Sequence, residues 1–157
     1  RMYRQCLGGG MELTTFCNWI FAAPTATFGQ PEIMLAVYAP VASLVLPALI
    51  GQTRADDLLL TGRSIKAPEA QHMGLVHTIA EDPETALQDF LARHILPKSA
   101  VALRHAHRAA RTHFHKIFLQ HIERLEQSYL GELMKTHDAN EGITAFLEKR
   151  QPVWRSS

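Results

Sequence analysis

The stretch LGGGMELTT (residues 7–15) is followed closely by FGQPEI (residues 28–33), and these two segments decide the fold. Each contains one acid, Glu12 or Glu32, inside an apolar and charge-poor region. Between Gly8 and Glu32 there is no Lys, no Arg and no acid other than Glu12. Because burying an ionised carboxylate is costly, lone acids in core-like surroundings are candidates for chemistry.

The glycines Gly8, Gly9 and Gly10 come directly before a predicted helix. Backbone N–H groups at a helix start are unpaired, and the helix dipole adds partial positive charge there. Such a turn can polarise a carbonyl oxygen or hold an anion. A phosphate loop needs Lys and then Ser or Thr after the glycines, where this chain has Met11 and Glu12. A tight turn that only lets the helix pack closely is the structural alternative.

The two acids also have structural alternatives. Glu12 falls in the first turn of the predicted helix, where the dipole favours a carboxylate. Glu32 follows Pro31 and could be a solvated loop acid. Together with the glycines, however, the acids form a site for proton transfer beside an activated carbonyl. Burial would push their pKa values apart, so that one can give a proton and the other can take it.

Composition limits the class of protein. The chain has 157 residues, 46% hydrophobic and 20% charged, with a net charge of +1. This composition is globular and gives no bulk electrostatic reason to expect a nucleic-acid partner. The longest apolar run, residues 39–50, is too short to span a membrane, so no membrane partner is expected. Two cysteines are too few for a disulfide framework, which favours a cytoplasmic setting.

Periodicity and capping signals predict a mixed α/β chain. Helices are expected from Gly9 or Gly10 onward and in the ranges 40–50, 53–60, 67–72, 82–94, 99–113, 114–135 and 138–150. Thr53, Asp82, Ser99 and Asp138 are the expected N-caps, with Glu141 in a capping box. Strands are expected at IFAAP and at residues 75–80, and residues 28–33 as a turn with a short extended piece. No strand is evident before the glycines.

Five segments together resemble the enoyl-CoA hydratase/isomerase family, or crotonases. Their order and spacing cover nearly the whole chain. The segments are LGGGMEL (7–13), FGQPEI (28–33), LPALIG (46–51), LLLTGRSIKAPEAQHMGLV (58–76) and EGITAFLEKRQPVW (141–154). The resemblance implies an α/β crotonase-like (ββα spiral) fold whose N-terminal part is missing here. Residues 1–97 would be the C-terminal part of the catalytic core, and residues 98–157 a helical segment for trimerisation and covering the active site.

The resemblance also implies roles for individual residues. Gly9 matches the glycine whose N–H holds the thioester oxygen, and the second such N–H would come from an upstream segment. Glu12 and Glu32 match the two acids that hold a water and move its proton, with Glu32 the expected donor and Glu12 orienting the water. Gly8 and Gly10 would border the substrate. The expected partners are an acyl-CoA thioester and further copies of the chain, as a homotrimer or a dimer of trimers.

A closer resemblance is indicated by LAVYAPVASLVLPALIG, residues 35–51. It is similar to the family branch that hydrates cyclohexa-1,5-diene-1-carbonyl-CoA in anaerobic aromatic degradation. This implies a cyclic dienoyl thioester as substrate, with Leu35 and Tyr38 shaping a pocket for a flat ring. Coenzyme A would be part of the substrate, and no separate cofactor is expected. The structural alternative is a core helix that simply packs differently.

Two alternative functions remain open from the sequence. One is a general 2-enoyl-CoA hydratase for linear acyl chains. The other is an inactive, truncated chain that acts only as an oligomerising helical module, which Arg1 and Arg4 favour because a buried strand is usual there. A metal site is not expected, because the pairs His105/His107 and His113/His115 are spaced by two and lie on different helix faces.

Overall fold

The computed structural model describes residues 1–157 as a mixed α/β chain. The strands are β1 (Gln5–Leu7), β2 (Phe21–Ala22), β3 (Thr27–Gly29), β4 (Ser64–Lys66) and β5 (Thr78–Ile79). The α-helices are α1 (Gly9–Thr15), α2 (Pro40–Ile50), α3 (Gln52–Thr61), α4 (Ala67–His72), α5 (Pro83–His94), α6 (Ala100–Gly131) and α7 (His137–Glu148). Two 3₁₀ helices cover Pro31–Leu35 and Leu133–Lys135. None of the helices is long and apolar enough to cross a membrane.

The strands form two small sheets. β3 lies between β1, to which it is parallel, and β4, to which it is antiparallel. β2 and β5 form a separate parallel pair. Phe28 in the central strand is fully buried and stands opposite Cys6 and Ile65, which are also buried. This small sheet holds the two ends of the candidate site together, since α1 follows β1 and the Pro31–Leu35 helix follows β3.

The expectation that no strand precedes the glycines is wrong, because β1 ends directly before them. Only Cys6 of its three residues is buried, so the strand leaves almost no apolar signature. The first residues also pair: Met2 N–H donates to Phe21 O, and Ala23 N–H donates to Met2 O, both at 2.8 Å. These partners lie far along the chain, where local sequence reasoning cannot find them.

Helices α2 and α3 pack against each other and contribute to the core. Ala42, Leu46, Ala55 and Leu58 are all fully buried within one hydrophobic cluster. The predicted range of α2 is confirmed, and the helix ends at Gly51, whose φ of 83° favours glycine. The predicted Thr53 cap of α3 is wrong: that helix already begins at Gln52 and has no side-chain cap.

The two helices expected between residues 99 and 135 are one continuous helix, α6, of 32 residues. No Gly or Pro interrupts the sequence before Gly131, so nothing breaks the hydrogen-bond ladder. Ser99 caps it as predicted, with its hydroxyl accepting from Ala102 N–H. The helix packs against α2 and holds Phe16 edge-on between Phe114 and Phe118, with ring centroids 5.6 and 5.1 Å apart.

The start of α7 differs from the prediction. Thr136 is the N-cap and accepts from Ala139 N–H at 3.2 Å, not Asp138. Asp138 instead accepts the backbone N–H groups of Arg155 and Ser156, at 2.7 and 2.8 Å. The expected capping-box role of Glu141 is therefore also wrong. Its carboxylate pairs with Arg150 and folds the chain end back along the helix.

Candidate active site

The glycine turn between β1 and α1 leaves backbone donors free. Gly8 is the N-cap, with φ of 55°, and offers no side-chain acceptor. The first backbone hydrogen bond of the helix runs from Glu12 N–H to Gly8 O at 2.9 Å. The N–H groups of Gly9 and Gly10 have no acceptor in the chain, and the space where their side chains would stand is open. A carbonyl oxygen can therefore reach these donors.

Glu32 lies directly against this turn. A Cβ atom on Gly8 would stand 3.0 Å from Glu32 Oε1, so any side chain there would press on the carboxylate. The turn is fixed from the other side as well, because Gly8 N–H donates to Gly29 O at 3.0 Å. Gly8 is thus required both by its positive φ and by the close approach of the acid. The two motifs that were singled out in the sequence meet here.

Gln30 is a site residue that sequence reasoning missed. Its side chain is 1% exposed, although it is polar. With the amide nitrogen turned toward Glu32, the orientation that satisfies both groups, it donates to both carboxylate oxygens at 3.1 and 3.0 Å. A buried amide needs such partners. The sequence signal that could have identified Gln30 is its position as a polar residue directly before Pro31 in an otherwise apolar run.

Glu12 is held by a different element. Its Oε1 accepts the N–H of Ala42, in the first turn of α2, at 2.9 Å. Ala39, the N-cap of that helix, has no side-chain acceptor, so the Glu12 carboxylate takes over that role. The bond fixes one oxygen of Glu12 and leaves the other for a second partner.

The two acids influence each other. Burial raises the pKa of the Glu32 carboxyl, and the negative charge of Glu12 raises it further, while the backbone N–H of Glu32 itself opposes both effects. A carboxyl with a raised pKa holds its proton to higher pH and can donate it. The acid that lies against the glycine turn is therefore the one suited to give a proton.

A cavity of about 510 Å³ opens beside Glu32. On one side it is lined by Glu32, Met34 and Leu35, and on the other by residues of α7 and the segment after it. Leu35, which the resemblance predicted as a pocket residue, lines this cavity. Tyr38 does not line this cavity; its hydroxyl donates to Leu125 O of α6 at 2.7 Å. The predicted substrate contact of Tyr38 would have to come from its ring.

Comparison with known proteins assigns the chain to a protein family. Residues 2–157 match the family described as enoyl-CoA hydratase/isomerase, and the chain belongs to that family. It is 50% identical to cyclohexa-1,5-dienecarbonyl-CoA hydratase of Thauera aromatica over 152 residues, which are 97% of this chain and 59% of that protein. It is 37% identical to crotonyl-CoA hydratase of Syntrophomonas wolfei, covering 92% of the chain and 56% of that relative.

Solved structures agree with this assignment. An enoyl-CoA hydratase from Mycobacterium avium matches with a TM-score of 0.88 at 27% identity, over 98% of this chain and 60% of that one. A carnitinyl-CoA hydratase from the same species matches with a TM-score of 0.84 at 29% identity, over the same two shares. The predicted α/β crotonase-like fold is thereby confirmed. The chain spans somewhat less than two thirds of the length of these relatives.

Proposed function

We propose that the protein hydrates a cyclic conjugated dienoyl thioester, converting cyclohexa-1,5-diene-1-carbonyl-CoA to 6-hydroxycyclohex-1-ene-1-carbonyl-CoA. The observation that carries the proposal is the Glu32 carboxylate lying against Gly8, beside the free N–H groups of the glycine turn. Similarity to the Thauera hydratase supports the choice of substrate. Coenzyme A enters as part of the substrate, and no further cofactor is proposed.

The role of the glycine turn follows from the negative charge that develops on the thioester oxygen during water addition. As water adds to the ring carbon β to the carbonyl, electrons move onto the thioester oxygen, and the N–H of Gly9 stabilises that charge. Losing one such donor typically costs about 100- to 1000-fold in rate. Gly8 and Gly10 keep the approach to this donor open because they have no side chains.

The two acids complete the addition. Glu12 orients the water with its free oxygen and takes one of its protons as the C–O bond forms. Glu32, which enters protonated, delivers its proton to the far end of the diene. The two double bonds of the diene are thereby replaced by one new double bond between its two middle carbons, which is conjugated with the thioester. The raised pKa of Glu32 suits this donor role, and its hydrogen bonds from Gln30 keep the carboxyl in place.

Leu35 and Tyr38 are proposed to shape the ring pocket. Leu35 lines the cavity beside Glu32. Tyr38 lies in the loop between Glu32 and α2, and its ring is proposed to form part of the pocket wall while its hydroxyl stays bound to Leu125 O. A flat conjugated ring fits an apolar wall of this kind better than a flexible chain, which loses more conformational freedom on binding.

A general 2-enoyl-CoA hydratase is the second candidate. The crotonyl-CoA hydratase of Syntrophomonas wolfei and a probable enoyl-CoA hydratase of Mycobacterium leprae are 37% and 42% identical to this chain. Both candidates use the same two acids and the same glycine donor, so only the acyl group separates them.

Self-association is proposed for the helical segment 98–157, as a homotrimer or a dimer of trimers of a cytoplasmic enzyme. No residue of α6 is fully buried, and Leu119 and Leu130 are 70% and 66% exposed. Phe146 and Leu147 on α7 are 66% and 74% exposed. Exposed apolar side chains in such numbers favour contact with further copies. Light scattering on the purified protein measures the mass, and a monomer at micromolar concentration would contradict this.

The function is tested by turnover of cyclohexa-1,5-diene-1-carbonyl-CoA and crotonyl-CoA, with products separated by chromatography. Both the chain and the product of the whole reading frame that contains it are assayed, with Glu12→Gln and Glu32→Gln as controls. Product from the cyclic diene that is lost in both variants supports the proposal. Product from crotonyl-CoA alone supports the second candidate. No product from either thioester leaves the non-catalytic oligomerising module as the function.

A further inference from the structure

The loop from Glu32 to Ala42 passes both acids of the candidate site. Glu32 stands at its start, and the N–H of Ala42 at its end holds Glu12. The loop begins with the 3₁₀ helix Pro31–Leu35, and Val37 N–H returns to Glu32 O at 3.3 Å. Tyr38 lies midway along it. A side chain that packs on Tyr38 therefore contacts the segment that joins Glu32 to the residue that holds Glu12.

Tyr129, on α6, is that side chain. Its ring meets the ring of Tyr38 edge-on, with centroids 5.4 Å apart and an interplanar angle of 78°. The arrangement is locked, because the Tyr38 hydroxyl donates to the carbonyl of Leu125, one helical turn before Tyr129. Edge-on contacts of this kind fix the relative position of two rings. Residues of α6 that lie more than eighty positions further along the chain thus reach this loop.

The electrostatic surroundings of Tyr129 agree with this position. Its pKa is raised by burial first, then by the charge of Glu32, by Tyr38 and by the charge of Glu12. The charges of both acids therefore oppose ionisation of the Tyr129 phenol. A raised pKa also keeps the phenol neutral, so it adds no third negative charge to a site that must accept an anionic intermediate.

We propose that Tyr129 is a specificity-determining residue that, together with Tyr38, forms an aromatic wall selecting a planar cyclic acyl group over a linear one. This inference rests on the proposed function, because it names the residue that would discriminate the substrates of that same site. The face or edge of a conjugated ring gains contact with such a wall, whereas a short linear enoyl group has less surface to offer. No role in substrate recognition was evident for Tyr129 from the sequence.

The test is the ratio of kcat/KM for cyclohexa-1,5-diene-1-carbonyl-CoA to that for crotonyl-CoA. Tyr129→Leu removes the ring and is expected to lower this ratio roughly 3- to 10-fold, the range that aromatic pair contacts support. Tyr129→Phe keeps the ring and is expected to hold the ratio within about 2-fold. Gln127→Ala, an exposed change on the same helix, controls for general effects on α6 and is expected to change nothing.

The outcomes separate this inference from the proposed function. An equal loss for both thioesters in Tyr129→Leu, or no change in the ratio, would mean that Tyr129 is only structural, while hydration by the unmodified protein still supports the function. A similar fall of the ratio in Tyr129→Phe would assign the selectivity to the hydroxyl and overturn the ring contact. Absence of turnover by the unmodified protein would defeat both.

Discussion

Replacement of Gly142 by alanine tests the packing of α7 on the catalytic loop. Helix propensity alone predicts a gain, because alanine is more stable than glycine inside a helix by about 1 kcal/mol. The structure predicts the opposite. A Cβ atom at position 142 would stand 2.2 Å from Leu35 O and 2.6 Å from Leu35 C. A glycine at this position therefore allows a close approach between the backbone of α7 and Leu35.

The size of the expected stability loss follows from how far the would-be Cβ contact falls short of ordinary van der Waals distance. The nearest contact is about 1.2 Å shorter than the 3.4 Å at which ordinary van der Waals contact begins, and it is made with backbone. Either α7 or the Pro31–Leu35 helix must move, since neither can relax by turning a side chain. A backbone clash of this size falls at the upper end of the cost of overpacking, about 3 kcal/mol, and the helix gain offsets about 1 kcal/mol, so a net loss of about 2 kcal/mol is expected.

The same shift of the Pro31–Leu35 helix would also move Glu32 and so affect catalysis. Glu32 lies in the 3₁₀ helix that Gly142 contacts, three residues before Leu35. Misplacing a reacting group by about 1 Å can cost roughly 100-fold in rate. Gly142→Ala is therefore expected to lower kcat as well as stability.

Urea unfolding provides the assay, with Gly131→Ala as the matched control. Gly131 is the last residue of α6, and nothing lies within 4 Å of its would-be Cβ. Alanine there is expected to raise the free energy of unfolding by about 0.4–1 kcal/mol. If Gly142→Ala proves as stable as the unmodified protein, or more so, the close packing of α7 on Leu35 is refuted.

Three further predictions concern the acids. Gln30→Leu removes the donors to Glu32, so the Glu32 pKa should rise and the basic limb of the kcat–pH profile should move up by about 0.5–1 unit; an unmoved limb would argue against this contact. Because the folded-state pKa of Glu32 is raised, its ionised form disfavours the fold above that pKa. Glu32→Gln should therefore raise the thermal midpoint at pH 8 and leave it unchanged at pH 4, and a lower midpoint at pH 8 would oppose the reasoning. Arg150, through hydrogen bonds, lowers the pKa of Glu141 to about 2. This stabilisation is complete above the ordinary pKa of 4.5 and fades as the pH falls toward 2. Arg150→Met should therefore destabilise the protein at pH 7 and not at pH 2. Measuring the unfolding midpoint of both proteins at a series of acidic pH values checks this.

Local signals in the sequence predicted the parts of the fold that depend on neighbouring residues. The ends of α2 follow from Pro40 and Gly51, and the start of α5 follows from Asp82, whose carboxylate accepts from Glu84 N–H at 3.1 Å. The glycines before α1 and the two lone acids likewise stood out against their apolar neighbours. These features are readable because their cause lies within a few residues.

Other features depend on partners far along the chain and were not predictable. Three-residue β1 exists because β3 pairs with it, and Glu12 caps a helix that begins 28 positions later. Residues 28–33 were expected as a turn with a short extended piece, because Pro31 restricts only the residue before it, but a 3₁₀ helix begins at Pro31. The close approach of Leu35 to Gly142 likewise joins residues more than one hundred positions apart. Such contacts require the three-dimensional structure.

The central claim is that Glu12 and Glu32 act as one water-adding pair, and a double-mutant cycle on kcat tests it most directly. Glu12→Gln, Glu32→Gln and the double variant are compared with the unmodified protein on the cyclic dienoyl thioester. Each single change is expected to lower kcat by about 100- to 10,000-fold, and the double variant by little more than the worse single one, since residues that act as a unit are not additive. A single variant that keeps the original rate, or a double loss equal to the product of the two single losses, would contradict the pair.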